Sequence, residues 1–228
     1  MKKNIKRNDI TIRGEKKVIK RLNPLFFGRT THFEIDDIIL KDKFDRTHQI
    51  DHIEIRQNGI FCIETKSQSG MIIGNADDNN WIQYLNRTNV NEFYNPLKQN
   101  MTHVKIVKEA LNNKYRINSL IVFTDAKVDH LKFQNVINIK DLKNYLKNFK
   151  SNKELSYEEM RKIYIELLAK KSLVTHDEHV RNIKVAKMLV NKNICPRCGR
   201  KLVKKKINRK VQLVCSNYPK CNFVKKDN

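Results

Sequence analysis

Gln49-Ile50-Asp51-His52-Ile53-Glu54-Ile55-Arg56-Gln57-Asn58-Gly59-Ile60-Phe61-Cys62-Ile63-Glu64-Thr65-Lys66 is the stretch whose reading decides the fold. Two apolar period-two runs, Ile50 to Ile55 and Ile60 to Thr65, flank a Gln-Asn-Gly turn signal, which predicts an antiparallel hairpin. Asn58-Gly59 favours a two-residue type I′ turn that pairs Gln57 with Ile60. Counting on, Ile55 faces Cys62, Ile53 faces Glu64 and Asp51 faces Lys66, and alternation places these six on one face. Asp51 and Glu64 are then diagonal neighbours about 7–8 Å apart, from where two carboxylates can converge on one hard cation such as Mg²⁺. Such a cation can hold a phosphodiester oxygen and acidify a water, with Lys66 orienting or helping to deprotonate that water. The plainer alternative is a cross-strand Asp51–Lys66 ion pair with Glu64 as a solvated strand residue. The apolar Ile53, Ile55 and Cys62 on the same face weigh against it, because unpaired charge is costly there. His52 points by parity to the other face, so a hydrogen-bonding role is expected of it.

Working outward, helical spacing at Val18, Ile19 and Leu22 predicts a helix from about Arg13 to Leu22, stopped before Asn23-Pro24. A strand is expected over Phe33 to Leu40, ahead of the hairpin. After it, a loop with Gly70, Gly74 and Asp77 to Asn80 leads to Trp81. Trp81 and Tyr84 are expected in the core rather than stacked on bases. Asn95-Pro96 opens a second helix through Val104, Val107 and Leu111. Ser119 to Phe123 and Phe133 to Ile139 are further strands, followed by a helix from Asp141 to Phe149. The order is that of an α/β domain over residues 1–150, a mixed central sheet flanked by helices. Residues 151–193 carry charged helical periodicity and two capping boxes, Ser156/Glu159 and Thr175/Glu178, and are expected to be a helical linker. The second box makes His176-Asp177-Glu178-His179 a helix N-terminus rather than a metal site.

The chain has 228 residues, a net charge of +23 and 39% hydrophobic residues, so a polyanionic partner is the default expectation. No run approaches the roughly 18 apolar residues of a spanning helix, and the basic N-terminus has no apolar segment after it, so neither a membrane nor a secreted location is expected. Four of the five cysteines crowd between Cys195 and Cys221, which suits a metal site in a reducing cytoplasm better than a disulfide framework. Cys62 is expected to be a small buried hydrophobe.

Gly14-Glu15, Gln49-Ile50-Asp51-His52, Gly59 to Lys66, and Asn95-Pro96 with Gln99 occur in order, and this set resembles the NERD (nuclease-related) domain over roughly Arg13 to Phe123. That family is similar to the PD-(D/E)xK nuclease superfamily, whose core is a mixed sheet flanked by helices, a restriction-endonuclease-like fold. Its E-x-K is Glu64-Thr65-Lys66 here. The resemblance implies that Asp51 and Glu64, with the Thr65 backbone carbonyl, bind Mg²⁺ or Mn²⁺ and that Lys66 assists the attacking water. It also implies that Glu15 and Gln99 reach in from flanking helices.

Cys195-Pro-Arg-Cys198, sixteen intervening residues and Cys215-Ser-Asn-Tyr-Pro-Lys-Cys221 supply the four thiolates that a tetrahedral structural Zn²⁺ requires. Residues 194–228 resemble the C4 zinc ribbon at the C-terminus of type IA topoisomerases, where C-P-x-C-G and C-S-N-Y-P-x-C recur. So short a module cannot bury enough apolar area to fold alone, and the metal would supply the missing stability. Lys204, Lys205, Lys206, Arg209 and Lys210 are expected to contact phosphates, and Tyr218 and Phe223 to stack on bases. The leading expectation is a metal-dependent DNA endonuclease. A nuclease fold retained only for DNA binding or recruitment, and an RNA-acting nuclease, are the alternatives.

Overall fold

The computed structural model describes residues 2–22, 32–207, 210–221 and 223–225. They form two compact units, residues 1–42 with 48–172, and residues 43–47 with 173–228. No helix among the described residues is long and apolar enough to cross a membrane.

The first unit is built on one long strand. Elements run α1 (Lys2–Leu22), β1 (His32–Lys41), β2 (Thr47–Arg56), β3 (Gly59–Ile73), β4 (Asn80–Tyr84), β5 (Val90–Tyr94), α2 (Pro96–Ala110), β6 (Ile117–Lys127), β7 (Val136–Asn138), α3 (Leu142–Asn148) and α4 (Tyr157–Ala169). Strands β1 to β5 lie in sequence order, and β6 runs parallel to β3 and to β7. The sheet is therefore mixed, as expected, with α2 making the crossover to β6. Strand β3 is longer than its apolar run predicts, and it pairs with β2 as far as Ile63 and with β4 from Met71. The first helix begins earlier than expected. The loop expected before the second helix contains the β4/β5 hairpin, whose two five-residue strands lack a strict period-two alternation.

Both faces of the sheet are covered, which is what near-continuous apolar strands such as β6 require. Ile53, Ile55, Ile60 and Cys62 pack under α2 and α4, whereas Phe61, Ile63, Leu120 and Val122 pack under α1 and α3. Trp81 is fully buried against Phe123 and Phe133 at the far end, with its Nε1 donating to Asn75 O at 3.0 Å. Helix α1 comes close to β3 at Gly14, where a Cβ would run into Ser67 Oγ.

The segment expected to be a linker is divided. Helix α4 buries Met160, Ile163 and Leu167 in the core of the first unit, worth on the order of 5 kcal/mol, so it is part of that core rather than a connection. Helix α5 (His176–Asn191) belongs to the second unit. Both capping boxes form, at Ser156/Glu159 and Thr175/Glu178, and His179 Nδ1 lies 2.7 Å from Thr47 Oγ1. The second unit ends in the hairpin β8 (Leu202–Ile207) and β9 (Lys210–Cys215).

Candidate functional site

The hairpin register differs from the one that the turn chemistry predicts. Arg56 pairs with Gly59, Ile55 with Ile60, Ile53 with Cys62 and His52 with Ile63, so the turn residues are Gln57 and Asn58. Tertiary bonds account for the shift. Asn58 Nδ2 donates to Leu146 O and Phe149 O at 2.8 and 2.9 Å, and Leu155 N donates to Gln57 O at 2.7 Å. Gly59 takes φ 146°, and a Cβ there would meet Asn118 Nδ2 at 3.0 Å. The shift preserves parity, so the predicted face survives. Continued one step beyond the last ladder pair, His52 and Ile63, this register sets Asp51 opposite Glu64 instead of diagonal to it.

Helix α2 is fastened so that its first turns overlie this pair. Buried Asn95 caps it, accepting from Leu97 N at 2.9 Å, while its Nδ2 donates to the carbonyls of Asn75, Ala76 and Asp78. Pro96 at the first helical position suits that cap. Buried Asn100 ties the helix to the sheet through Cys62 O and Ser119 Oγ, both at 2.9 Å. Gln99, beside it in sequence, accepts from Lys66 Nζ at 2.9 Å, and the same ammonium donates to Glu64 Oε1 at 2.7 Å. Glu64 is only 2% exposed, which removes the reading of it as a solvated strand residue. Thr65 N donates to Asp51 Oδ2 at 2.8 Å. Lys66 thus pairs with Glu64, not across the strands with Asp51.

One residue of this cluster escapes the sequence reading. His103, one turn after Gln99, places Nδ1 3.2 Å from Glu64 Oε2. Its only sequence signal is the i, i+4 spacing from Gln99 on one helix face.

The two carboxyls are driven apart electrostatically. Burial and the adjacent Glu64 push Asp51 well above the usual carboxylate range, Glu15 adds to this, and the Thr65 N–H and Lys66 pull the other way. Burial would also raise Glu64, but Lys66 and His103 outweigh it and hold the carboxyl down to about 2. Glu64 Oε2 is buried and makes no well-aligned hydrogen bond, its contact with His103 Nδ1 at 3.2 Å being an ion pair only. Two convergent carboxylates, one resisting ionisation and one retaining an unsatisfied buried oxygen, fit a hard divalent cation. Glu15 on α1 lies within electrostatic reach of Asp51.

His52 faces away, as its parity predicts, with Nδ1 2.6 Å from Asp36 Oδ1 and Nε2 3.1 Å from Thr65 Oγ1. On that side burial pushes Glu54 up to about 7 and Glu34 up to about 8, while burial and Arg56 lower His32.

In the second unit Cys195, Cys198, Cys215 and Cys221 bring four sulfurs within 4.8 Å of one another, with Cys195 Sγ to Cys221 Sγ at 3.7 Å and Cys198 Sγ to Cys215 Sγ at 3.4 Å. Four convergent sulfurs match the donor set of a structural Zn²⁺. The backbone N–H of Arg200 holds the Cys198 thiol down at about 7, toward a thiolate, whereas burial raises Cys195 and pushes Cys215 up to about 12. Lys204, Lys205 and Lys206 are exposed along β8. Tyr218 is half-buried with Lys205 Nζ 5.2 Å from its ring, and Phe223 packs partly against the cysteines. Arg209 and the side chain of Lys210 lie outside the described residues. Arg197 lies 4.0 Å from the centre of the Phe44 ring, a residue that the sequence reading did not single out.

Comparison with known proteins agrees with this geometry. Residues 11–124, half of the chain, match the nuclease-related domain, and residues 192–228 match the topoisomerase DNA binding C4 zinc finger. An uncharacterized protein of Bacillus anthracis is 28% identical over 160 residues, covering 68% of this chain and 74% of the relative. No solved structure matches. The chain belongs to the nuclease-related-domain family and carries, after that domain, a zinc ribbon of the topoisomerase type.

Proposed function

We propose that this protein is a metal-dependent nuclease that hydrolyses phosphodiester bonds in DNA, with the zinc ribbon and its basic strand gripping the polymer. The observation that carries the reading is the convergence of Asp51 and Glu64 on one sheet face, with Lys66 held between Glu64 Oε1 and Gln99 Oε1. Asp51, Glu64 and the Thr65 carbonyl would hold Mg²⁺ or Mn²⁺, and Glu15 would complete the acidic side. When bound, such an ion neutralises phosphate charge and acidifies a coordinated water. The remaining work falls to the protein's own side chains. Lys66, anchored at 2.7 and 2.9 Å, is placed to orient the attacking water and to oppose the charge that develops on the phosphate. Gln99 fixes the direction of the Lys66 ammonium, and His103 sets the rotamer of Glu64. Lys204, Lys205 and Lys206 supply phosphate contacts that make binding salt-dependent.

The test uses equal lengths of supercoiled, single-stranded and RNA substrates with purified full-length protein and Mg²⁺, Mn²⁺ or no added divalent ion. Cutting of DNA that needs the ion supports the reading. Binding without cutting would replace it with a recruitment role, and preferential cutting of RNA would reassign the substrate.

A further inference from the structure

The face of the sheet opposite Asp51 and Glu64 carries a second group of ligand-type side chains that the nuclease reading does not use. His32 and Glu34 project from β1 on the same side by alternation, and Glu54 projects from the adjacent β2. One ligand atom from each of the three lies within 4.8 Å of the others. His32 Nε2 stands 3.9 Å from Glu54 Oε1, too far for a hydrogen bond. It is near the spacing of about 3.3 Å that two ligands adopt around a tetrahedral Zn²⁺.

A second, independent observation concerns Glu54. Its side chain is completely buried, and Arg56 Nε occupies only Oε1, at 2.6 Å, leaving Oε2 buried with no hydrogen-bond partner among the described residues. His32 Nδ1 is buried without one as well. The carboxyl and the imidazole that face each other at 3.9 Å thus each retain one buried polar atom without a partner, which is unmet capacity for a ligand. A supporting layer is already in place, because Asp36 contacts Glu34 on one side and His52 Nδ1, at 2.6 Å, on the other.

We propose that His32, Glu34 and Glu54 form a second metal site, for a borderline transition ion such as Zn²⁺, distinct from both the hard-cation pair and the cysteine ribbon. Imidazole with carboxylates favours that class of ion over Mg²⁺. The site lies within the first unit and ties β1 to β2, so its occupancy stiffens the strand that carries Asp51.

The test titrates Zn²⁺ into the full chain with its ribbon already loaded and Mg²⁺ in excess to occupy the hard-cation pair. Bound zinc is counted by equilibrium dialysis, and folding is checked by circular dichroism. Wild type and Glu64→Gln should each take up one further equivalent, and His32→Gln should bind it at least tenfold more weakly. Glu34→Gln repeats the comparison at a half-buried position if His32→Gln does not fold. No uptake beyond the ribbon, equal uptake by the folded variants of this site, or loss of the extra ion with Glu64→Gln alone would each overturn the proposal.

Discussion

Replacing Asp51 with Asn is expected to stabilise the protein while removing its chemistry. Opposed residues on an antiparallel ladder place their side chains on the order of 5 Å apart, and at an effective dielectric of 20 two like charges at that distance repel by about 3 kcal/mol. Lys66 and the Thr65 N–H offset part of this, which leaves on the order of 1–2 kcal/mol to be recovered when one charge is removed. Asn preserves the shape, and its carbonyl oxygen still accepts from Thr65 N. In a chain of this size, 1 kcal/mol moves Tm by about 2–4 °C, so Asp51→Asn should melt about 3–6 °C above wild type in buffer without added divalent cation. Thermal unfolding followed by circular dichroism measures it. Added Mg²⁺ should raise wild type and leave the variant nearly unchanged, because an ion that binds only the native state stabilises by mass action. A variant no more stable than wild type without the ion would refute the argument that the two carboxylates are held together against their repulsion.

Three further outcomes follow from named contacts. Lys66→Met should lower cleavage at least about 100-fold while changing DNA affinity by less than about twofold, measured by plasmid nicking and fluorescence anisotropy. Cys198→Ser should do the reverse, releasing zinc by elemental analysis and weakening DNA binding with a shallower salt dependence. Ser156→Ala removes the cap from α4 and should cost about 1 kcal/mol in urea unfolding, with cleavage unchanged below the transition.

The sequence carries the parts of this molecule that are local. Both capping boxes are complete within four residues, and the cysteine spacing describes a module stabilised by its own ligands, so each is readable without the rest of the chain. The identity of the hairpin face is also local, because Ile53, Ile55 and Cys62 must be buried and a register shift that keeps parity cannot move them. The register itself was not legible. It depends on Asn58 reaching Leu146 O and Phe149 O, some 90 residues away. His103 was invisible for a similar reason, since its importance lies in where Asn95 and Asn100 anchor α2 over β3. The role of α4 is concealed because exposed Ile165 and Leu168 and interspersed charges blur the buried stripe of Met160, Ile163 and Leu167. The β4/β5 hairpin is hard to read because its two short strands, although rich in aromatic and β-branched residues, break the period-two alternation.

The central claim is that the pair Asp51 and Glu64 is where phosphodiester hydrolysis occurs. Cleavage of supercoiled plasmid by wild type and by Glu64→Gln, each with Mg²⁺, Mn²⁺ or no divalent ion and with DNA binding measured in parallel, tests it most directly. The account predicts ion-dependent cutting by wild type, none by the variant, and equal DNA binding by both. Undiminished cutting by a folded Glu64→Gln protein would contradict it.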